Sequence, residues 1–89
     1  MFRIVDGVSW QEQEEGGYLV HYNQDIFETN EVAIRILELL QQFKTREEIL
    51  DILLKEYDIS KEILMGDINT ILDQFKVTGI LKEANDEGK

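Results

Sequence analysis

The chain contains no cysteine and no proline, and only one histidine and one tryptophan among its 89 residues. Without cysteine it can hold no disulfide, thiolate metal site, iron–sulfur cluster or cysteine nucleophile. That absence is compatible with a reducing cytosol. No run approaches the roughly 20 apolar residues of a membrane span, and the N-terminus lacks the basic-then-apolar order of a signal peptide. The expected location is therefore the cytoplasm. Positive charge is also scarce, with nine basic against nineteen acidic side chains and a formal charge of -10. Such a balance opposes binding by phosphate neutralisation and counterion release, so nucleic acid and anionic membranes are poor partners.

What is present is the composition of a folded globular domain, 43% hydrophobic and 31% charged. A chain of this size buries only about 60% or slightly more of its unfolded surface, too little to divide between two cores. One domain is expected over residues 1–84, followed by an acidic and polar tail at 85–89, and a multi-domain enzyme is excluded. Acidic side chains cluster at Glu12, Glu14 and Glu15, at Glu47, Glu48 and Asp51, and in the tail. Clusters of this kind form a solvated surface, and they can also steer a basic peptide.

Residues 2–29 alternate more than they spiral. Phe2, Ile4, Val8 and Trp10 predict a first strand interrupted at Asp6-Gly7, and Glu14-Glu15-Gly16-Gly17 predicts a hairpin turn. Tyr18–Tyr22 is a second strand, Asn23-Gln24-Asp25 a second turn, and Ile26–Thr29 a third strand, which together favour an antiparallel meander. From Asn30 the apolar spacing changes to about 3.6. Val32, Ala33, Ile36, Leu37 and Leu40 mark a first helix capped by Asn30 or Thr29. Thr45 and Glu48 form a Thr-x-x-Glu capping box for a second, carrying Ile49, Leu50, Leu53, Leu54 and Tyr57. Ser60 caps a third, carrying Ile63, Leu64, Ile68, Ile71, Leu72 and Phe75, and Gly79 suits its C-cap. Gly66 inside this helix costs about 1 kcal/mol relative to alanine, which points to a loose first turn or the close approach of a ligand. Ile80-Leu81 predicts a short closing strand or packed tail. The expected fold class is α+β, winged helix-turn-helix-like, with a three-stranded antiparallel sheet followed by three helices.

The inventory of reactive groups is thin. His21 lies in a strand with no second histidine, cysteine or glycine-rich loop beside it, and reads as an exposed or half-buried strand residue rather than a base or ligand. Pairs such as Glu47-Glu48 and Glu14-Glu15 sit on polar surface with no apolar pocket to raise a pKa. Gly16-Gly17 is too short and too acidic in its flanks for a phosphate cradle. No catalysis, cofactor or metal is expected. The aromatic residues lack interleaved cations and read as core, with Trp10 the one that could instead anchor a peptide.

Strands followed by three helices also suit a winged helix that reads DNA with its third helix. Residues 61–77, however, set Lys61 and Lys76 against Glu62, Asp67 and Asp73, a net of -1 on the would-be recognition helix. An open strand edge at Asp25–Thr29, ended by a helix cap, offers a different use, since such an edge can accept another peptide. The third helix holds a core row (Ile68, Leu72, Phe75) and an offset row (Leu64, Ile71), so its apolar residues could wall a groove or all belong to the core.

The order of these pieces resembles the PqqD-like family of peptide chaperones and leader-recognition elements for ribosomally made, modified peptides. The resemblance is carried by Trp10 before Gly17-Tyr18-Leu19-Val20, by Ile26–Glu31 leading to Ile36–Leu40, and by Thr45–Ile49. It continues through Leu54, Tyr57, Asp67-Ile68, Leu72 and Gly79–Leu81. Two positions depart from the family pattern: Thr29 stands where leucine is usual, and Phe43 lies near where a glycine commonly precedes the threonine of the second helix. The resemblance implies a non-catalytic protein whose third strand takes a precursor's leader peptide as an added antiparallel strand. The implied peptide-binding residues are Asp25, Ile26, Phe27, Glu28 and Thr29 on the edge and Leu64, Asp67, Ile68 and Ile71 on the groove wall.

An added strand gains about 0.5–1.5 kcal/mol per backbone hydrogen bond, while ordering each peptide residue costs about 1–2 kcal/mol. Affinity and selectivity must then come from leader side chains buried in the groove, at about 1.5–3 kcal/mol each. With no catalytic domain in the sequence, the implied partners are a precursor leader peptide and a separate leader protease or modifying enzyme. Lasso peptide biosynthesis is the first expectation, and a quinone-cofactor pathway with a radical enzyme is the second. Two further readings stay open: an acidic winged-helix protein acting in transcription, and a homo-oligomer in which the same edge pairs with itself. A monomer or weak homodimer is expected.

Overall fold

A computed structural model describes residues 2–83, so the expected 84/85 boundary and acidic tail lie outside the described residues. The elements run β1 (Phe2–Ile4), β2 (Ser9–Glu12), β3 (Tyr18–Tyr22), β4 (Asp25–Thr29), α1 (Glu31–Gln41), α2 (Arg46–Glu56), α3 (Lys61–Thr78) and β5 (Leu81–Glu83). The three-stranded antiparallel sheet β2-β3-β4 followed by three helices is the expected α+β, winged-helix-like arrangement. One expectation is corrected. The first strand is not a single interrupted strand, because β1 leaves the main sheet and pairs antiparallel with β5, Phe2 opposite Glu83 and Ile4 opposite Leu81. Gly7, at φ 89°, supplies the left-handed backbone that lets the chain pass from one sheet to the other.

Helix boundaries follow their caps. The Asn30 side chain accepts the Ala33 N–H at 2.9 Å, so only Asn30 separates the end of β4 from the start of α1. Thr45 and Glu48 exchange both bonds of the capping box, and Ser60 accepts from the Ile63 N–H at 3.3 Å. α1 is the central element, with Ala33, Ile34, Ile36, Leu37, Leu39 and Leu40 all buried. It packs with Ile49 and Leu53 of α2 and with Leu64, Ile68, Leu72 and Phe75 of α3 in one core. The sheet meets that core through a cross-strand row in which Val20 lies between Trp10 and Phe27. Trp10 is therefore half-buried against the core. Ile63, expected on the buried stripe of α3, is exposed instead. A side chain built at Gly66 would meet no atom within 4 Å, so nothing in this chain demands a glycine there.

The end of α1 explains the unusual Phe43. The Lys44 N–H donates to the Leu39 carbonyl at 3.1 Å and the Phe43 N–H to the Leu40 carbonyl at 2.9 Å, the two bonds of a Schellman motif. That motif needs a left-handed residue at Phe43, which sits at φ 62° and is 62% exposed. Glycine is usual in this place because a Cβ costs about 1–2 kcal/mol in the left-handed region. The Arg3 guanidinium lies 6.0 Å from the Phe43 ring centroid, at the outer limit of a cation–π contact, and offsets little of that cost. Phe43→Gly is accordingly expected to exceed Phe43→Ala in unfolding free energy by about 1 kcal/mol, the reverse of the order in a helix interior. Urea denaturation of the two variants checks it, and equal midpoints would contradict the assignment.

Candidate functional site

β4 lies at the edge of its sheet, hydrogen-bonded to β3 on one side with Val20 opposite Phe27 and Leu19 opposite Glu28. Among the described residues no strand pairs with its other side. Every second residue of Asp25–Thr29 therefore turns its backbone N–H and C=O outward, unpaired. The strand is set in place by a tight turn on one flank, where Asn23 (φ 53°) and Gln24 (φ 72°) both adopt the left-handed backbone of a two-residue hairpin. The Asn30 cap holds the other flank.

Facing this edge across a cleft of about 520 Å3 is the C-terminal half of α3. Phe27, Glu28 and Thr29 form one bank, and Thr70, Asp73, Gln74, Phe75, Val77 and Thr78 form the other. The floor is apolar, from half-buried Phe27 and buried Phe75. On the rim Val77, 87% exposed, adds apolar surface to the cleft lining. A second cleft, lined by Asn30, Val32, Asp67, Thr70, Ile71 and Gln74, shares Thr70 and Gln74 with the first. The two adjoin at Thr70 and Gln74, between the end of α3 and the start of α1.

The expected site residues divide. Phe27, Glu28 and Thr29 line the first cleft, and Asp67 and Ile71 line the second. Asp25 and Ile26 lie on the same edge outside both clefts, Ile26 pointing to the opposite face of the sheet at 58% exposure. Leu64 and Ile68 are 0% and 1% exposed and lie in the core, where they offer no surface to a guest in this groove. The wall expected from those two residues is formed instead by Thr70, Asp73, Gln74 and Val77. These repeat along α3 at helical spacing, but three of the four are polar, so apolar periodicity passes over them. Thr29, placed where the family favours leucine, is half-buried within the cleft lining.

Charge in the groove is of one sign. Its ionisable lining residues are Glu28, Asp67 and Asp73, and none forms a salt bridge among the described residues. Tyr18, opposite Thr29 at the end of the edge strand, has its phenol pKa raised by desolvation and then by the nearby Glu12, Glu31 and Glu38 carboxylates. Beyond it, the Tyr57 hydroxyl donates to Glu31 at 3.1 Å, and burial with that bond pushes its pKa up to about 12. Arg35 forks onto Glu56 at 2.6–3.1 Å, holding the Glu56 carboxyl below its usual range and tying α1 to α2 behind the groove. His21 is half-buried on the far face of the sheet, with its Nε2 unpartnered. Among the described residues no group of three or more His, Asp or Glu could hold a metal ion, and no helix is long and apolar enough to cross a membrane.

Residues 16–81 match the family described as PqqD, coenzyme PQQ synthesis protein D. The chain belongs to the PqqD family. That segment contains both banks of the groove. None of the curated proteins compared with the chain matches it. Among solved structures it is similar to one described as "TbiB1 in Complex with the TbiA(beta) Leader Peptide", with a TM-score of 0.77 and 24% identity, over 93% of this chain and 98% of that one. At that identity the likeness establishes a shared fold, and TbiB1 is a protein of this fold that holds a leader peptide.

Proposed function

We propose that this PqqD-family chain captures the leader peptide of a ribosomally made, modified precursor by adding it as a strand to β4. The observation that carries the reading is the open β4 edge lying beside an apolar cleft of about 520 Å3, within the range of about 300–1,000 Å3 common to ligand pockets. The edge supplies backbone bonds that nearly offset the cost of ordering the guest, and the cleft supplies the net affinity. Two or three buried anchors then correspond to a dissociation constant of about micromolar or tighter. The leader-bound state of TbiB1, on the same fold, supports this kind of guest.

The protein's own part is binding and presentation, with the chemistry left to a separate leader protease or modifying enzyme. We favour a lasso peptide precursor from the resemblance in the sequence. The family's description, coenzyme PQQ synthesis, favours a precursor handed to a radical enzyme as the second reading. The test is fluorescence anisotropy with labelled leader peptides from precursor genes neighbouring this one. Saturable binding near micromolar supports the proposal, and no binding by any of them at tens of micromolar overturns it. Co-purification of the complex with a neighbouring protease or with a radical enzyme separates the two pathways.

A further inference from the structure

Resting on the peptide-binding reading above, we propose that the groove selects extended peptides whose apolar anchors are flanked by lysine or arginine. Asp67 and Asp73 stand on the α3 bank, Glu28 lies on β4 with its side chain on the same outer face as Ile26, all three are exposed, and no cationic side chain lines either cleft. Four of the chain's nine cations are engaged elsewhere. Arg35 is held by Glu38 and Glu56, Lys76 lies near Glu83 and the Phe2 ring, and Arg3 and Arg46 lie near the Phe43 and Phe2 rings. A guest strand laid along β4 brings its own charges near Asp67 and Asp73 in the groove and near Glu28 on the outer face, none of which forms a salt bridge among the described residues. The cleft's apolar walls limit screening there, so the field is focused on the guest.

Spacing sharpens the pattern. Asp67 and Asp73 stand six residues apart on α3, about 9 Å along its axis, which is roughly three residues of extended chain. They also lie about 120° apart around the helix, one in each cleft, so a guest passing between meets them on opposite sides of its path with cations about three positions apart. An acidic or neutral leader of equal hydrophobicity leaves the carboxylates unanswered and binds more weakly.

The test is a display selection of random 12-residue peptides on the intact protein, followed by anisotropy on the enriched sequences. The expected result is enrichment of peptides with two or more Lys or Arg around an apolar pair. Their affinity should fall about tenfold between 0.05 and 0.5 M salt. It should also fall about tenfold for the triple variant Glu28→Gln, Asp67→Asn, Asp73→Asn, which alters only exposed positions. A control variant, Glu47→Gln with Asp51→Asn on α2, should bind as the parent does. Equal losses in both variants, or enriched peptides that are neutral or acidic and indifferent to the triple variant, overturn the charge selection while leaving peptide capture intact. If no peptide is enriched, both fall.

Discussion

Ile68→Glu is expected to leave the chain unfolded at neutral pH. Ile68 is 1% exposed, and no polar or charged residue is buried in the core around it. The substitution removes a buried isoleucine worth about 1.5–3 kcal/mol and puts in its place a carboxylate with no partner, costing several more. A domain of this length has about 4–13 kcal/mol to lose. Ile68→Val, which deletes one methyl group, should cost only about 0.5–1.5 kcal/mol and keep a cooperative transition. Far-UV circular dichroism with urea denaturation checks both, and a cooperatively folded Ile68→Glu would show that α3 is turned differently from the arrangement described. Lost peptide binding in that variant would consequently report on folding and carry no information about the groove.

Val77→Asn is expected to do the opposite, leaving stability within about 0.5 kcal/mol of the parent while weakening leader binding by more than tenfold. Val77 is 87% exposed, so the folded chain gains almost nothing from its apolar surface, and asparagine has a similar helix propensity. Once a guest covers the rim, the valine contributes about 1.5 kcal/mol of burial, about tenfold in affinity, and asparagine adds the cost of desolvating its amide. Val77→Ile should bind at least as well as the parent. Anisotropy alongside urea denaturation reads both quantities, and unchanged affinity in Val77→Asn would remove the C-terminal half of α3 from the site.

These two residues also mark how far the sequence can be read. The helices are legible because their starts carry local chemistry, Asn30, Thr45 with Glu48, and Ser60, and because each buries an apolar stripe. The β4 bank is legible as a short strand passing straight into a cap. Its opposite wall is not, because apolar spacing reports what the chain buries in itself. Leu64 and Ile68 answer to that signal and are core, whereas the groove uses Thr70, Asp73 and Gln74, which look like ordinary solvated helix surface. Only Val77, a lone apolar residue two positions after Phe75, breaks that pattern. The division of the N-terminal segment into β1 and β2 is hidden for a different reason. Alternation continues through Asp6-Gly7 whether the two halves share a sheet or part company, and the partner that separates them lies at the far end of the chain.

That partner gives the fold a kinetic character. The β1–β5 ladder joins Phe2 to Glu83, the longest-range strand pairing among the described residues, whereas β2-β3-β4 is built from two local hairpins. Closing so long a loop carries the larger entropic cost, and only three residue pairs reward it. On contact-order grounds the hairpins and the helices packed on them are expected to form before the terminal ladder. The edge proposed to receive the guest thus belongs to the locally connected part of the molecule, and its ladder does not depend on the two ends of the chain having met.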